Sequence, residues 1–183
     1  CPGCKAWNSL VEFTRTDVAP AIARRGIEPD RKPAKAEPLS QVQASALQRL
    51  DAGDRDLNRV LGDGLVAGSV VLLGGEPGIG KSTLLLQAAA AFARTGLKVL
   101  YISGEEASAQ VRLRAQRLGL ADAPVKLATE TALRDILTTL DAERPDLAII
   151  DSIQTMWADN VDSAPGSVSQ VRAAAHELTT FAK

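Results

Sequence analysis

The sequence feature that most constrains the fold is an eight-residue motif, GEPGIGKS at positions 75–82, which satisfies the pattern GxxxxGK[ST] in full. It follows a short apolar run, residues 70–73, and precedes a Leu- and Ala-rich segment, residues 82–94. The apolar run predicts a buried parallel strand, and the segment after the motif predicts a helix. A loop of this spacing between a strand and a helix is typical of a phosphate-binding site, and this context disfavours a chance match.

The residue types in the motif explain the predicted chemistry. Glycines without Cβ atoms let successive backbone N–H groups turn toward a phosphate, and the helix N-terminus adds a partial positive charge. We expect Lys81 to contact the β- and γ-phosphates, Ser82 to ligate Mg²⁺ and Thr83 to lie near the α-phosphate. The predicted nucleotide-binding residues are Gly75, Glu76, Pro77, Gly78, Ile79, Gly80, Lys81, Ser82 and Thr83.

Apolar runs and helical periodicity alternate along the rest of the chain. Strands are predicted at residues 98–103, 125–128 and 147–150, and helices at 108–118, 131–143 and 168–183. This alternation predicts an α/β fold with a mainly parallel sheet. On the helix at 108–118 we expect Val111 and Ala115 to face inward and Arg114 to face outward. The last helix carries Val168, Val171, Ala175, Leu178 and Phe181 at helical spacing.

The composition is that of an ordered globular chain. Of 183 residues, 45% are hydrophobic and 23% are charged, which excludes disorder over the whole length. A net charge of −1 gives no sign of a nucleic-acid or membrane partner. The most apolar stretch, residues 84–93, is about half as long as a membrane span requires. We therefore expect a cytoplasmic protein without membrane contact.

Acidic residues follow two of the predicted strands. Asp151 directly follows the strand predicted at 147–150 and is expected to organise Mg²⁺, although a helix N-cap is the alternative. Glu105 and Glu106 follow the strand at 98–103, and one of them is expected to act as the base that activates water. We favour Glu105 as the base. The alternative is that both glutamates are ordinary acidic residues at the first turn of the next helix. Gln154, three residues past Asp151, is interpreted as a surface residue, and a sensor of the γ-phosphate is the alternative.

The first residues carry a different kind of signal. Cys1 and Cys4 have the CxxC spacing that supplies half of a tetrahedral zinc site, and a redox pair is the alternative. The sequence divides into this knuckle at 1–13, a Pro-rich and charged linker at 14–45, and the α/β core at 46–183. His176, in the last predicted helix, is expected to face solvent.

Five segments together resemble the RadA (Sms) family of bacterial DNA repair proteins over nearly the whole chain: CPGCKAWNSLVE, LNRVLGDGLVAGSVVLLGGEPGIGKSTLLLQ, VLYISGEEASAQVRLRAQRLGL, IIDSIQT and SAPGSVSQVR. The resemblance implies a RecA-like P-loop NTPase core with an incomplete sheet, preceded by half of a four-cysteine zinc finger and a linker. It implies ATP, Mg²⁺ and Zn²⁺ as cofactors. Cys1 and Cys4 resemble the second cysteine pair of the finger. Glu105 resembles the catalytic acidic residue of RecA-like proteins, and Asp151 resembles the acidic residue of the metal site.

The resemblance also implies an activity and partners. The family is similar to RecA-like hexameric motors that hydrolyse ATP in a DNA-dependent way and drive branch migration. The implied partners are single-stranded DNA, branched recombination intermediates and a recombinase. Two alternatives stay open: a RecA-like ATPase of the KaiC type that acts on protein partners, and a small-molecule P-loop kinase.

The sequence departs from the family pattern by omission. The first cysteine pair, the later core strands, the DNA-binding loops, the KNRFG motif and the Lon-like domain are not in it, which implies part of a longer protein. In RecA-like folds, the strand that leads to the residue at the position of Asp151 does not pair directly with the strand before the phosphate loop. A strand that comes later in the sequence lies between the two. We therefore expect unpaired strand edges in this chain.

Overall fold

A computed structural model of the chain describes residues 36–41 and 49–182. These fall in two units that divide between Ala44 and Ser45. In the first unit, Leu39–Gln41 forms a single 3₁₀ turn. The predicted cysteine knuckle and most of the predicted linker lie outside the described residues.

The second unit alternates strands and helices. Its elements are β1 (Arg49–Leu50), α1 (Arg55–Val60), β2 (Leu65–Val66), α2 (Lys81–Arg94), β3 (Val99–Ser103), α3 (Ser108–Arg117), β4 (Val125–Thr129), α4 (Leu133–Glu143), β5 (Leu147–Asp151), a 3₁₀ turn (Ile153–Thr155) and α5 (Val168–Phe181). β1 and β2 pair antiparallel, and the other strands form a parallel sheet in the order β4-β3-β5. The predicted α/β class with a parallel sheet, consistent with a RecA-like core, is confirmed.

The central strand β3 explains where the core lies. All five residues of β3 are buried, because successive side chains point to opposite faces and helices cover both. On one face the strands pack against α2 and α3 through Leu86, Ala89, Phe92, Val99, Tyr101, Val111 and Ile149. On the other face they pack against α4 and α5 through Leu100, Ile102, Leu133, Ile136, Leu140 and Ala174. The helix predicted at residues 131–143 is confirmed as Leu133–Glu143.

The strand predicted at residues 70–73 is wrong. These residues lie in no strand, and the exposed fraction is 52% for Val70 and 82% for Leu72. An apolar run becomes a strand only where a neighbouring strand takes its backbone hydrogen bonds. Among residues 49–182, β5 pairs with β3 alone, because residues 152–182 do not form the strand that is expected between β5 and this run. The expected unpaired edge is thus present in the described part of the chain.

The buried face of α5 does not coincide with the apolar residues at helical spacing. Gln170 and Ala174 are buried, whereas the exposed fraction of Val168 is 74% and that of Phe181 is 44%. Gln170 is buried because its amide replaces the hydrogen bonds that the preceding loop would otherwise make to water. It accepts from the Ala158 N–H at 2.7 Å and donates to carbonyls of the same loop, including that of Ala158 at 3.1 Å. Apolar spacing alone gave no sign of this contact.

No helix in the described ranges has the length and apolar character needed to cross a bilayer.

Candidate nucleotide site

The loop before α2 has the backbone that the motif predicts. Gly78 has a φ of 80° and Gly80 a φ of 102°, a left-handed region that side chains other than glycine rarely adopt. Gly80 is the N-cap of α2, and its carbonyl accepts from the Leu84 N–H at 2.9 Å. The helix begins at Lys81, one residue before the predicted start. The free N–H groups of its first turn therefore follow the loop directly.

Lys81 folds back over the loop that precedes it. Its Nζ donates to the carbonyl of Gly75 at 2.8 Å and to that of Glu76 at 2.9 Å. These two bonds hold an ammonium group at the start of a 14-residue helix. The loop thus combines a fixed cation with the positive end of a helix dipole, which is a suitable place for phosphate groups.

Asp151 lies at the carboxyl end of β5, inside the protein. It is 8% exposed and is paired in register with Ser103 of β3. The Tyr101 hydroxyl donates a hydrogen bond to Asp151 Oδ2. Burial raises the pKa of the Tyr101 phenol well above its usual range, and the bond to Asp151 raises it further. Because the carboxylate accepts from a side chain, with no helix N–H bonded to it among the described residues, the cap alternative loses support.

Glu105 lies beside Asp151, at the same edge of the sheet. The Gly104 N–H donates to the Asp151 carbonyl at 2.9 Å, which joins the ends of β3 and β5. Ser152, the residue after Asp151, donates its hydroxyl hydrogen to Glu105 Oε1. The Glu105 side chain is otherwise exposed. The structure therefore brings two of the predicted acids together at one edge.

Glu106 is held in a different environment. Its Oε1 accepts from Arg114 Nη2 at 2.6 Å, and the exposed side-chain fractions are 20% for Arg114 and 30% for Glu106. The Ser103 hydroxyl donates to the Glu106 carbonyl at 2.9 Å and accepts from its N–H at 3.0 Å. The prediction that Arg114 faces outward is wrong, because its charge pairs with Glu106 instead. A glutamate bound in this way is less free than Glu105 to meet a water molecule.

The phosphate loop is not bonded to the acidic edge, which is the end of the sheet that carries Glu105 and Asp151. Within residues 49–182 no hydrogen bond or ion pair joins Lys81 or Ser82 to Asp151 or Glu105. Gln154 and His176 are exposed, as predicted for residues without a special contact. Sequence reasoning missed Tyr101, although a tyrosine inside an otherwise apolar strand is a usable signal, because a buried hydroxyl needs a partner.

The donors present fit magnesium. Ser82 supplies a hydroxyl and Asp151 a carboxylate, the hard oxygen ligands that Mg²⁺ prefers beside phosphate oxygens and water. Such a site needs no cluster of protein ligands, and the described residues contain no group of three or more His, Cys, Asp or Glu placed to hold an ion. Cys1 and Cys4 lie outside the described residues, so the zinc site stays a prediction.

Gly104 allows the close approach that brings the two acids together. A Cβ added there would lie 2.1 Å from Thr155 Oγ1 and 3.0 Å from Met156 Cε. We expect Gly104→Ala to push the turn after β5 away and to lower ATP hydrolysis about 10- to 100-fold, since small misplacements cost that much. Steady-state phosphate release measures the effect.

Gly119→Ala is the matched control for Gly104→Ala. Gly119 has a φ of 69°, so alanine strains the backbone there, but an added Cβ meets nothing within 4 Å. We expect this variant to lower the melting temperature and to leave the hydrolysis rate per folded molecule unchanged. Equal rates for both variants would contradict the role assigned to Gly104.

Comparison with known proteins identifies relatives over the whole chain. A family model described as "AAA domain" matches residues 35–183. DNA repair protein RadA of Brucella abortus is 46% identical over 191 aligned residues, which cover 100% of this chain and 40% of that protein. RadA of Listeria monocytogenes is 45% identical, with 100% and 39% covered, and RadA of Escherichia coli K12 is 43% identical, with 100% and 40% covered. The chain thus spans about two fifths of the length of these relatives.

Proposed function

The chain belongs to the AAA domain family, and from this membership and its similarity to RadA we propose that it is the ATP-hydrolysing core of a DNA repair protein. The observation that carries the proposal is the phosphate loop, in which Lys81 is held at the start of α2 by two carbonyls of the loop. The acidic edge formed by Glu105 and Asp151 supplies the second half of the chemistry. A phosphate-binding loop needs both halves before it can hydrolyse ATP.

Each residue has a distinct task in this proposal. The loop N–H groups and Lys81 bind the phosphates and offset their charge. Ser82 and Asp151 would hold Mg²⁺, which when bound would supply positive charge to neutralise the phosphates. Glu105 orients the attacking water and takes its proton. Its exposure supports this role, since water can reach it, while the ion pair with Arg114 makes Glu106 a poorer candidate.

The activity of the whole protein is a further proposal. We infer that ATP hydrolysis is coupled to single-stranded DNA and drives branch migration on recombination intermediates, with a recombinase as partner and a homo-hexamer as the working form in the cytoplasm. The support is the similarity to proteins named for DNA repair. The alternative is a RecA-like ATPase of the KaiC type, which would act on protein partners without a DNA motor. A zinc ion at Cys1 and Cys4 belongs to the same proposal.

The rate of ATP hydrolysis with and without single-stranded DNA tests the proposed function. The measurement uses the full-length protein, with Lys81→Ala protein purified in parallel to subtract contaminating activity. We expect single-stranded DNA to raise the wild-type rate several-fold. A wild-type rate that exceeds the Lys81→Ala background but does not respond to DNA would support the alternative. A wild-type rate equal to that background would contradict the ATPase itself.

A further inference from the structure

Tyr101 is a buried polar residue that the proposed hydrolysis does not use directly. It is 0% exposed and lies at the centre of β3, in the core cluster that includes Phe92 and Val111. Its partner strand is β5, where Ile149 is the residue directly beside it and Asp151 lies two residues farther along. Positions two apart on a strand share one face, so the long phenol side chain can reach along that face to Asp151.

We propose that Tyr101 is a positioning residue for Asp151, which its hydroxyl holds in the orientation that binds magnesium. This inference rests on the proposed function and adds a residue to it. The hydroxyl donates to Oδ2, while none of the described residues donates a hydrogen bond to Oδ1. One oxygen of the carboxylate is therefore fixed from the core side, and the other is left for the metal ion. A side chain that is held in advance loses less rotational freedom when the ion binds.

The position of the pair in the sheet supports a functional role for the contact. The tyrosine donates to a carboxylate at the edge of the sheet that also carries Glu105. A hydroxyl that served only to fill the core could be replaced by hydrogen at little cost, provided its partner were also apolar. Here the partner is the acid that the proposal assigns to the metal ion. Removing the hydroxyl thus leaves a buried carboxylate with one donor fewer.

Tyr101→Phe in the full-length protein separates the two roles. It keeps the ring in the core and removes only the donor. We expect a fluorescent ATP analogue to bind in the presence of EDTA with wild-type affinity, because the phosphate loop is unchanged. The Mg²⁺ concentration that half-saturates the enhancement of analogue binding should rise about tenfold, as for other residues that support a metal ligand. An unchanged half-saturation value would overturn the proposal.

Phe92→Leu is the matched control. Phe92 is 4% exposed and belongs to the same core cluster, but its side chain has no atom that could donate a hydrogen bond to Asp151. We expect this variant to lower the melting temperature and to keep the wild-type Mg²⁺ dependence. If Phe92→Leu changed that dependence as much as Tyr101→Phe does, the effect would be general loosening of the core, and the proposal would be wrong.

A spectroscopic measurement keeps the proposal testable if Tyr101→Phe does not fold. With ¹³Cζ placed at Tyr101 alone, we expect the resonance in Asp151→Asn protein to move toward that of free tyrosine, because an amide accepts more weakly than a carboxylate. In the wild type, the resonance should keep its hydrogen-bonded position when Mg²⁺ and a non-hydrolysable ATP analogue bind. Loss of the bond on binding would overturn the positioning role. Failure of the proposed ATPase is distinct, since it would appear as a wild-type rate no higher than that of Lys81→Ala.

Discussion

Lys81→Ala is expected to reduce ATP hydrolysis to background, a loss of about 100- to 1000-fold or more. The ammonium group is the one positive side chain that the motif brings to the phosphates, and it is already held at the loop by the carbonyls of Gly75 and Glu76. Alanine removes both the charge and these two bonds. The developing charge on the γ-phosphate then lacks the cation of the motif, and the loop loses two internal contacts. Phosphate release under steady-state conditions measures the loss.

Lys98→Ala is the matched control for Lys81→Ala. Lys98 is an exposed lysine just before β3, at the opposite end of that strand from Glu105. Within residues 49–182 its side chain makes no hydrogen bond, whereas its backbone is bonded to Asp146 and Leu147. We expect Lys98→Ala to hydrolyse ATP at the wild-type rate. Wild-type hydrolysis in Lys81→Ala would remove the phosphate loop from the mechanism. An equal loss in both variants would point to a general effect of lost positive charge.

Local signals explain what the sequence predicted well. The start of α2 lies within one residue of its predicted position, because glycine content and helix periodicity act over a few residues. Continuous apolar runs predict β3 and β5, because a strand that is covered on both faces needs apolar side chains on both. Asp151 and Glu105 lie at one edge, because the strands that they follow or end are parallel and finish at the same side of the sheet.

Contacts between distant residues explain what it did not predict. Whether residues 70–73 form a strand depends on a partner strand, which no property of the run itself encodes. The bond between Tyr101 and Asp151 joins residues 50 positions apart and follows from the register of β3 and β5. The spacing of residues on α3 predicts that Arg114 faces solvent. This spacing gives no sign of the ion pair with Glu106, because Glu106 lies outside the helix, in the preceding loop. Each of these features is set by tertiary packing.

Glu105→Gln is expected to keep ATP binding and to lower hydrolysis about 100- to 10,000-fold, the usual contribution of a general base. The amide has the shape of the carboxylate and still accepts the hydrogen bond from Ser152, so the loop conformation should persist. It cannot take a proton from water. A fluorescent ATP analogue gives the affinity, and single-turnover hydrolysis gives the rate of the chemical step, so binding and chemistry are measured separately.

Glu106→Gln is the control that tests the assignment within the pair. It weakens the ion pair with Arg114, and the Arg114 Nη1 atom already lacks a hydrogen-bond partner among the described residues. A less well compensated, largely buried guanidinium should lower the free energy of unfolding by about 1–2 kcal/mol, while hydrolysis per folded molecule falls far less than in Glu105→Gln. Thermal or urea unfolding measures the first quantity. The reverse pattern, with binding retained and hydrolysis lost only in Glu106→Gln, would transfer the role of the base to Glu106, and Glu105 would then be a surface acid bonded to Ser152.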